Sequence, residues 1–345
     1  MIATLSAAAA LLYCSLAKPS PASGLKHPEV ITLEVRRIQA AENTELFGNA
    51  WHMSSKLGFT DAYTMKSDHS QFGGWSGLAF DSRQKHFVAV SDTGHWMAFD
   101  PIENPKEDSS TFPLSASIGS LLDTEGKPAA NRGPRDIEAI AIVGEKMYLS
   151  YESPSSGLYY SPKGRIDTAK FRRLNPLSPA FSALPKGYGL ESIAAISPPG
   201  APLELLAIAE RPSEQAPGMV PAWLIQSADT QPQLTPLRVN NPDGYDISEI
   251  AWSSACGLFG IERKLTWYGR LKVKLVKLTI SADRSSIESE ALFSGDSAGS
   301  AIDNYEGLAV VDVRPGECDL YAISDDNFLP VQKTILMRFR YREAA

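Results

Sequence analysis

The chain has little of what a nucleic-acid binder, a disulfide scaffold or a membrane protein is built from. Its 33 Lys and Arg are outnumbered by 40 Asp and Glu, for a formal charge of −7. No run of basic residues interleaves with aromatics, which argues against nucleic acid as a partner. Three cysteines in 345 residues are too few to staple a scaffold. Beyond the N-terminal segment no stretch approaches the ~18 continuous apolar residues that a bilayer span requires. Common hydrolase signatures are missing as well: no G-x-S-x-G elbow, no H-E-x-x-H, no Walker loop, no Arg-His-Gly segment and no Cys-x5-Arg loop. Phosphate chemistry on this chain would therefore need a metal ion.

What is present is globular: 43% hydrophobic and 21% charged residues can bury a large core. The N-terminus runs apolar from Ile2 to Leu16 and ends in Ser15-Leu16-Ala17, a small-x-small site. Residues 1–17 are expected to be an export signal, placing the protein in the periplasm or outside the cell. Tyr13 before Cys14 is too bulky for a lipidation site. Cys256 and Cys318 then remain, at 6 and 7 residues before the acids Glu262 and Asp325. A disulfide is expected between them, with two buried thiols as the alternative.

Beyond residue 70 an opening motif recurs as WSGLAF (75–80), IEAIAI (137–142), LESIAAI (190–196), SEIAW (248–252) and YEGLAVV (305–311). Aligning Ser76, Glu138, Glu191, Glu249 and Glu306 gives gaps of 62, 53, 58 and 57 residues, near the period of propeller blades. Each motif precedes a second apolar run that stops at an acid: Asp92, Glu152, Glu210, Glu262 or Asp325. Third runs and candidate fourth runs follow. With 25 Gly, 24 Pro and no amphipathic helical pattern after residue 20, the expected fold is all-β: a β-propeller of four-stranded antiparallel blades, five by repeat count and six as the alternative. Residues 18–57 read as an N-terminal segment and 58–345 as the propeller domain. Val30–Gln39 can supply the outer strand that the last unit lacks and close the ring; Gly58–Lys66 offers another.

The motifs GWSGLAFD…FVAVSDTG, RDIEAIA, LFGIERK…GRLKVKLVKL, and NYEGLAV followed by AISDDNF and QKTILMRFRY resemble the secreted proteins grouped as the "esterase-like activity of phytase" family, over roughly residues 58–342. The resemblance implies a β-propeller, bacterial export and hydrolysis of a phosphoester or ester. Ser76 departs from the Glu of the other repeats.

First strands of blades line a central channel, so the repeat acids and the second-strand acids are expected to ring one funnel. Glu138, Glu191, Glu249, Glu306, Asp325, Asp326 and the amide oxygen of Asn304 are the candidate metal ligands. Such hard oxygens suit a divalent ion, Ca²⁺ above all, which could polarise an ester and activate water. Glu306, Arg263, Asp325 and Arg211 are the candidate catalytic residues, the two arginines for bidentate grip on phosphate. Arg132 and Arg135 are further candidates for that grip, and His95 for general acid. Each has a structural alternative: a Glu accepting backbone N–H groups, an Arg paired with a repeat Glu, a core His. The expected partner is a small phosphorylated or ester substrate. A non-catalytic binding propeller, and less strongly a lactone hydrolase, remain open.

Overall fold

The computed structural model describes residues 24–343 except 104–109, 130–135, 152–156, 163, 175–180, 182–183, 185–188, 199, 213–217, 229 and 242. The export segment with Cys14, together with Arg132, Arg135 and Glu152, lies outside the described residues. The chain enters through β1 (Glu29–Arg37), a short helix α1 (Asn43–Phe47), β2 (His52–Met53) and β3 (Leu57–Lys66). A first four-stranded unit follows, β4 (Trp75–Asp81), β5 (His86–Ser91), β6 (His95–Phe99) and β7 (Thr111–Ser120). A second is β8 (Ile137–Val143), β9 (Lys146–Tyr151), β10 (Gly157–Ser161) and β11 (Arg172–Arg173). The third is β12 (Leu190–Ile196), β13 (Glu204–Ala209), β14 (Met219–Gln226) and β15 (Gln233–Asn240). The fourth is β16 (Asp246–Ser253), β17 (Gly257–Leu265), β18 (Leu271–Ile280) and β19 (Ser286–Asp296). The last has only β20 (Tyr305–Arg314), β21 (Glu317–Ser324) and β22 (Thr334–Arg342) of its own.

Within each unit successive strands pair antiparallel. The first strands β4, β8, β12, β16 and β20 pack in a closed circuit, with β20 returning to β4. The fold is all-β and propeller-like. Strand sequences explain why: short runs such as HFVAVS, ELLAIA and ECDLYAIS are buried along nearly their whole length, as strands covered on both faces must be. Three residues of each first strand, beginning at Leu78, Ile140, Ile193, Ile250 and Leu308, line a narrow central cavity of about 70 Å³.

Ring closure corrects one expectation. The outer strand of the last unit is β3, paired from Thr334↔Met65 to Tyr341↔Leu57, while β1 lies between β3 and β7 and joins the last unit to the first. In β1, Ile31, Leu33 and Val35 alternate inward with exposed Val30, Thr32 and Glu34, so one strand covers the seam.

Cys256 and Cys318 are buried free thiols. They touch, thiol to thiol, so the expected adjacency is present and the expected disulfide is not.

Candidate functional site

Every first strand carries a register shift at the same place. The unpaired residue is Ser76, Glu138, Glu191, Ser248 or Glu306, each skipped between two paired neighbours. A bulge of this kind adds one side chain at the strand's entrance and re-aims it. The fourth unit therefore differs from its sequence alignment by one residue: the bulge holds Ser248, not Glu249. Ser76 and Ser248 do the same job, each donating its hydroxyl to the first-strand carbonyl of the following unit, at Ile137 and Tyr305.

Glu249 falls instead where the other units have Gly77, Ala139, Ser192 and Gly307. A Cβ on Gly77 would meet Ala139 Cα at 3.0 Å, which shows how tightly neighbouring first strands approach there. Glu249 is 0% exposed and its Oε1 accepts from Ile250 N at 2.9 Å. Burial, with the Glu191 charge adding to it, holds its carboxyl well above the usual range, so it is a neutral acid inside the ring. It is no funnel ligand.

The same slip applies to the second strands. Ile247 pairs with Glu262, as Trp75 pairs with Ser91 and Tyr305 with Ser324. The residue equivalent to Asp92, Glu210 and Asp325 is thus Arg263. Glu262 points away, buried, and accepts from Ser289 Oγ at 2.7 Å.

Arg263 takes the place of the expected cation. Its guanidinium donates to Glu191 Oε1 at 3.2 Å, to Asn304 Oδ1 at 2.8 Å and to Glu306 Oε1, and its side chain is 16% exposed. Asn304 Nδ2 also donates to Glu306 Oε1 at 2.8 Å. Two repeat carboxylates, from the units on either side of the fourth, are thereby paired with one arginine. Arg211 sits further out, forked onto Asp246 at 2.8 and 2.9 Å and paired with Glu210 at 3.0 Å. Glu138 is a bulge residue and half-buried.

A second group gathers where the first and last units meet. Asp92 N donates to Gly74 O at 3.1 Å and Asp325 N to Asn304 O at 2.8 Å, so the two aspartates hold equivalent places. Asp326 accepts from Gly74 N, Phe328 N and Thr334 Oγ1 at 3.1, 3.1 and 3.2 Å. Gly73 and Gly74, both at positive φ, let these carboxylates close in: a Cβ on either would meet Asp326 or Asp92 oxygen at 2.7 Å. Burial, opposed by a hydrogen bond from Ser91 and aided by the charges of Asp136 and Asp326, raises the Asp92 carboxyl to about 6. Burial and the charges of Asp92 and Asp326 raise Asp325 to about 8, against the pull of Arg263.

His95 is fully buried, and its Nδ1 meets Thr93 Oγ1 at 3.0 Å. Thr93 Oγ1 meets Ser91 Oγ at 2.7 Å, and Ser91 Oγ donates to Asp92 Oδ1 at 3.3 Å. The histidine therefore reaches the funnel through two hydroxyls. Trp75 and Trp96 are core residues.

Among the described residues no three His, Cys, Asp or Glu side chains are disposed to hold one metal ion. The seven-ligand ring predicted for Ca²⁺ does not fit this arrangement: Arg263 occupies Glu191 and Glu306, Glu249 is turned inside, and Asp326 is committed to Gly74 N, Phe328 N and Thr334 Oγ1.

The family model described as "Phytase-like: Esterase-like activity of phytase" matches residues 70–328. The chain belongs to that family. A comparison with curated proteins finds no match. Among solved structures, the chain is similar to a gluconolactonase of Xanthomonas campestris at 12% identity and a TM-score of 0.37, over 94% of this chain and 99% of that one. It is similar to a glucose dehydrogenase at 12% identity and a TM-score of 0.38, over 79% and 97%. A Hadza microbial sialidase gives 12% identity and a TM-score of 0.36, over 88% and 71%.

Proposed function

We propose that this phytase-like protein is a five-bladed propeller hydrolase that cleaves an ester or phosphoester on its funnel face. The observation that carries the reading is the unequal pair Asp92 and Asp325. Two equivalent aspartates share one carboxylate cluster, and their surroundings set one near 6 and the other near 8. Burial raises both carboxyls and the Asp92 charge raises Asp325 further, so the pair is disposed to share a proton near neutral pH, as a general base and a general acid require. Asp92 would accept a proton from the attacking water as its oxygen bonds to the ester carbon or phosphorus. Asp325 would give its proton to the oxygen that leaves. Arg263 lies beside Asp325 with its charge held by Glu191 and Glu306, so its part is to orient the cluster.

No step here passes through a metal. Calcium, the cofactor the sequence suggests, enters as an arm of the test. Purified protein would be assayed against a generic phosphomonoester, a short acyl ester, phytate and a sugar lactone, each with and without chelator, alongside Asp92→Asn and Asp325→Asn. Turnover of one substrate, insensitive to chelator and cut at least about tenfold by each substitution, supports the reading. Turnover abolished by chelator and restored by Ca²⁺ replaces it with a metal-assisted one.

One observation favours a second reading, a binding module without turnover: Arg263 is held in place by Glu191, Glu306 and Asn304 through three of its N–H donors, as a rigid recognition residue would be. No turnover of any substrate, with saturable binding of a phosphorylated ligand, would establish it.

A further inference from the structure

The large apolar side chains that the fold leaves exposed are gathered at one end. Among the described residues these are Val30, Met219, Leu265, Trp267, Tyr268, Val313 and Val331. Val313 alone belongs to the far end, at the close of β20 before its turn into β21. The others lie at or beyond the strand ends on the funnel side. Leu265, Trp267 and Tyr268 crown the β17–β18 hairpin, whose strand β17 also carries Arg263. Four residues separate Arg263 from Trp267, which puts the tip roughly 10–14 Å above the funnel.

The tip is exposed by construction. Gly269 N donates to Thr266 O at 2.9 Å, Thr266 N to Arg270 O at 2.7 Å, and Arg270 N to Thr266 Oγ1 at 2.8 Å. Gly269 takes the left-handed conformation that closes the turn. Trp267 is held 87% exposed and Tyr268 52%, edge to face at 5.3 Å. Leaving so much aromatic surface in water is unfavourable unless something covers it.

Charge identifies the occupant. From Arg263 to Ala282 there are six basic residues and no acidic one, in a protein of net charge −7. Lys264 and Lys272 stand opposite each other on the two strands below the tip, Lys264 Nζ turned onto Asp243 O at 2.6 Å, and Arg270 adjoins the tip, 3.8 Å from Asp296 and 48% exposed. Lys272 has no ion-pair partner among the described residues. Like charges directly opposed on a ladder are destabilising; Lys264 is answered by Asp243 O, and the charge left on Lys272 points to an anionic partner. Trp and Tyr at a tip with Lys and Arg behind them match the headgroup level of a bilayer, where amphipathic rings sit between acyl chains and water and cations meet phosphates.

We propose that the β17–β18 tip docks the funnel face onto a lipid surface carrying anionic headgroups, Trp267 and Tyr268 entering the headgroup layer while Arg270 and Lys272 face the phosphates. This stands independently of whether the funnel hydrolyses anything.

The test is sedimentation of the full chain with vesicles of phosphatidylcholine, alone or mixed with phosphatidylglycerol, at low and high salt. Trp267 is the most exposed of the tryptophans, so its emission should shift to the blue on binding. Partition onto the mixed vesicles, weakened by salt and about tenfold weaker in Trp267→Ser/Tyr268→Ser, is expected. Arg270→Gln/Lys272→Gln should weaken it on mixed vesicles only. Melting temperatures of both variants should match the parent, because the turn is held by Thr266 and Gly269. Absence of binding at low salt, or binding indifferent to the aromatic substitutions, overturns the proposal. Equal binding to neutral vesicles overturns the role given to the cations. Tip-dependent dimers seen by light scattering without lipid binding would assign the surface to a second copy of the chain.

Discussion

Asp92 and Asp325 sit in equivalent places in two neighbouring units, yet their environments separate them, and that separation is measurable. If they are base and acid, kcat/KM should rise through about pH 6 and fall through about pH 8. Asp325→Asn should remove the alkaline limb and Asp92→Asn the acid limb, read from rates across pH; limbs that survive both substitutions belong to other groups. Arg263 makes a different prediction, because two half-hidden carboxylates depend on its charge. Arg263→Met leaves Glu191 and Glu306 unopposed and should cost on the order of 3 kcal/mol in urea unfolding. Adding Glu306→Gln should recover part of that loss, and a strictly additive double variant would show that the pair does not interact. The sequence exposed these residues but misplaced two of their neighbours. Acids were matched to acids, which aligned Glu249 and Glu262 with residues one position away. The reliable anchor was the Leu/Ile–Ala pair of every first strand, at 78–79, 140–141, 193–194, 250–251 and 308–309. With these superimposed, Ser248 falls beneath Ser76, and the strand pairing then places Arg263 beneath Asp92. Packing at the axis fixes that pair, whereas the polar bulge before it is free to vary.

At the scale of the strand, the repeat motif and its hairpin were legible because burial on both faces leaves unmistakable apolar runs. The route of closure was not, since β1 and β3 have similar alternation and only three-dimensional pairing distinguishes them. β1 covers the seam with Leu33, which is fully buried. Leu33→Ala should lower unfolding free energy by about 3 kcal/mol, seen as an earlier denaturant midpoint; a change under 1 kcal/mol, by the same scale, would make β1 dispensable to the ring. The corrected register also explains the cysteines. Cys256 and Cys318 both stand five residues before equivalent isoleucines, Ile261 and Ile323, so the unequal offsets of 6 and 7 vanish and the thiols face each other across two units. The Cys318 hydrogen bond draws the Cys256 thiol down while burial and that same bond push Cys318 up. Thiol titration should find both unreactive in the native protein and both reactive once it is unfolded without reductant.

Over the whole molecule, carboxyls raised by burial outweigh those lowered by partners on the funnel side, and this sets how stability follows pH. Asp92, Glu210, Glu249, Glu262 and Asp325 all hold their protons more tightly when folded. The native state therefore binds more protons than the unfolded chain above about pH 4, and the slope of unfolding free energy with pH is negative there. Their stabilising contribution is complete below the unfolded carboxyl range and is lost as pH rises through about 6 for Asp92 and about 8 for Asp325. Asp81, hydrogen-bonded by Gln84 and Arg83 and lowered despite burial, acts the other way, contributing above its unfolded range and losing that as pH falls. Urea unfolding should consequently find the greatest stability in mildly acidic solution and a steady decline toward pH 9. Asp325→Asn keeps the acceptor that Asn327 N uses at 2.7 Å but can never carry the buried charge. Relative to the parent it should gain stability as pH passes 8, flattening the decline. A variant that tracks the parent across the whole range would mean that Asp325 titrates normally, and the acid assigned to the funnel would have to be sought among its neighbours.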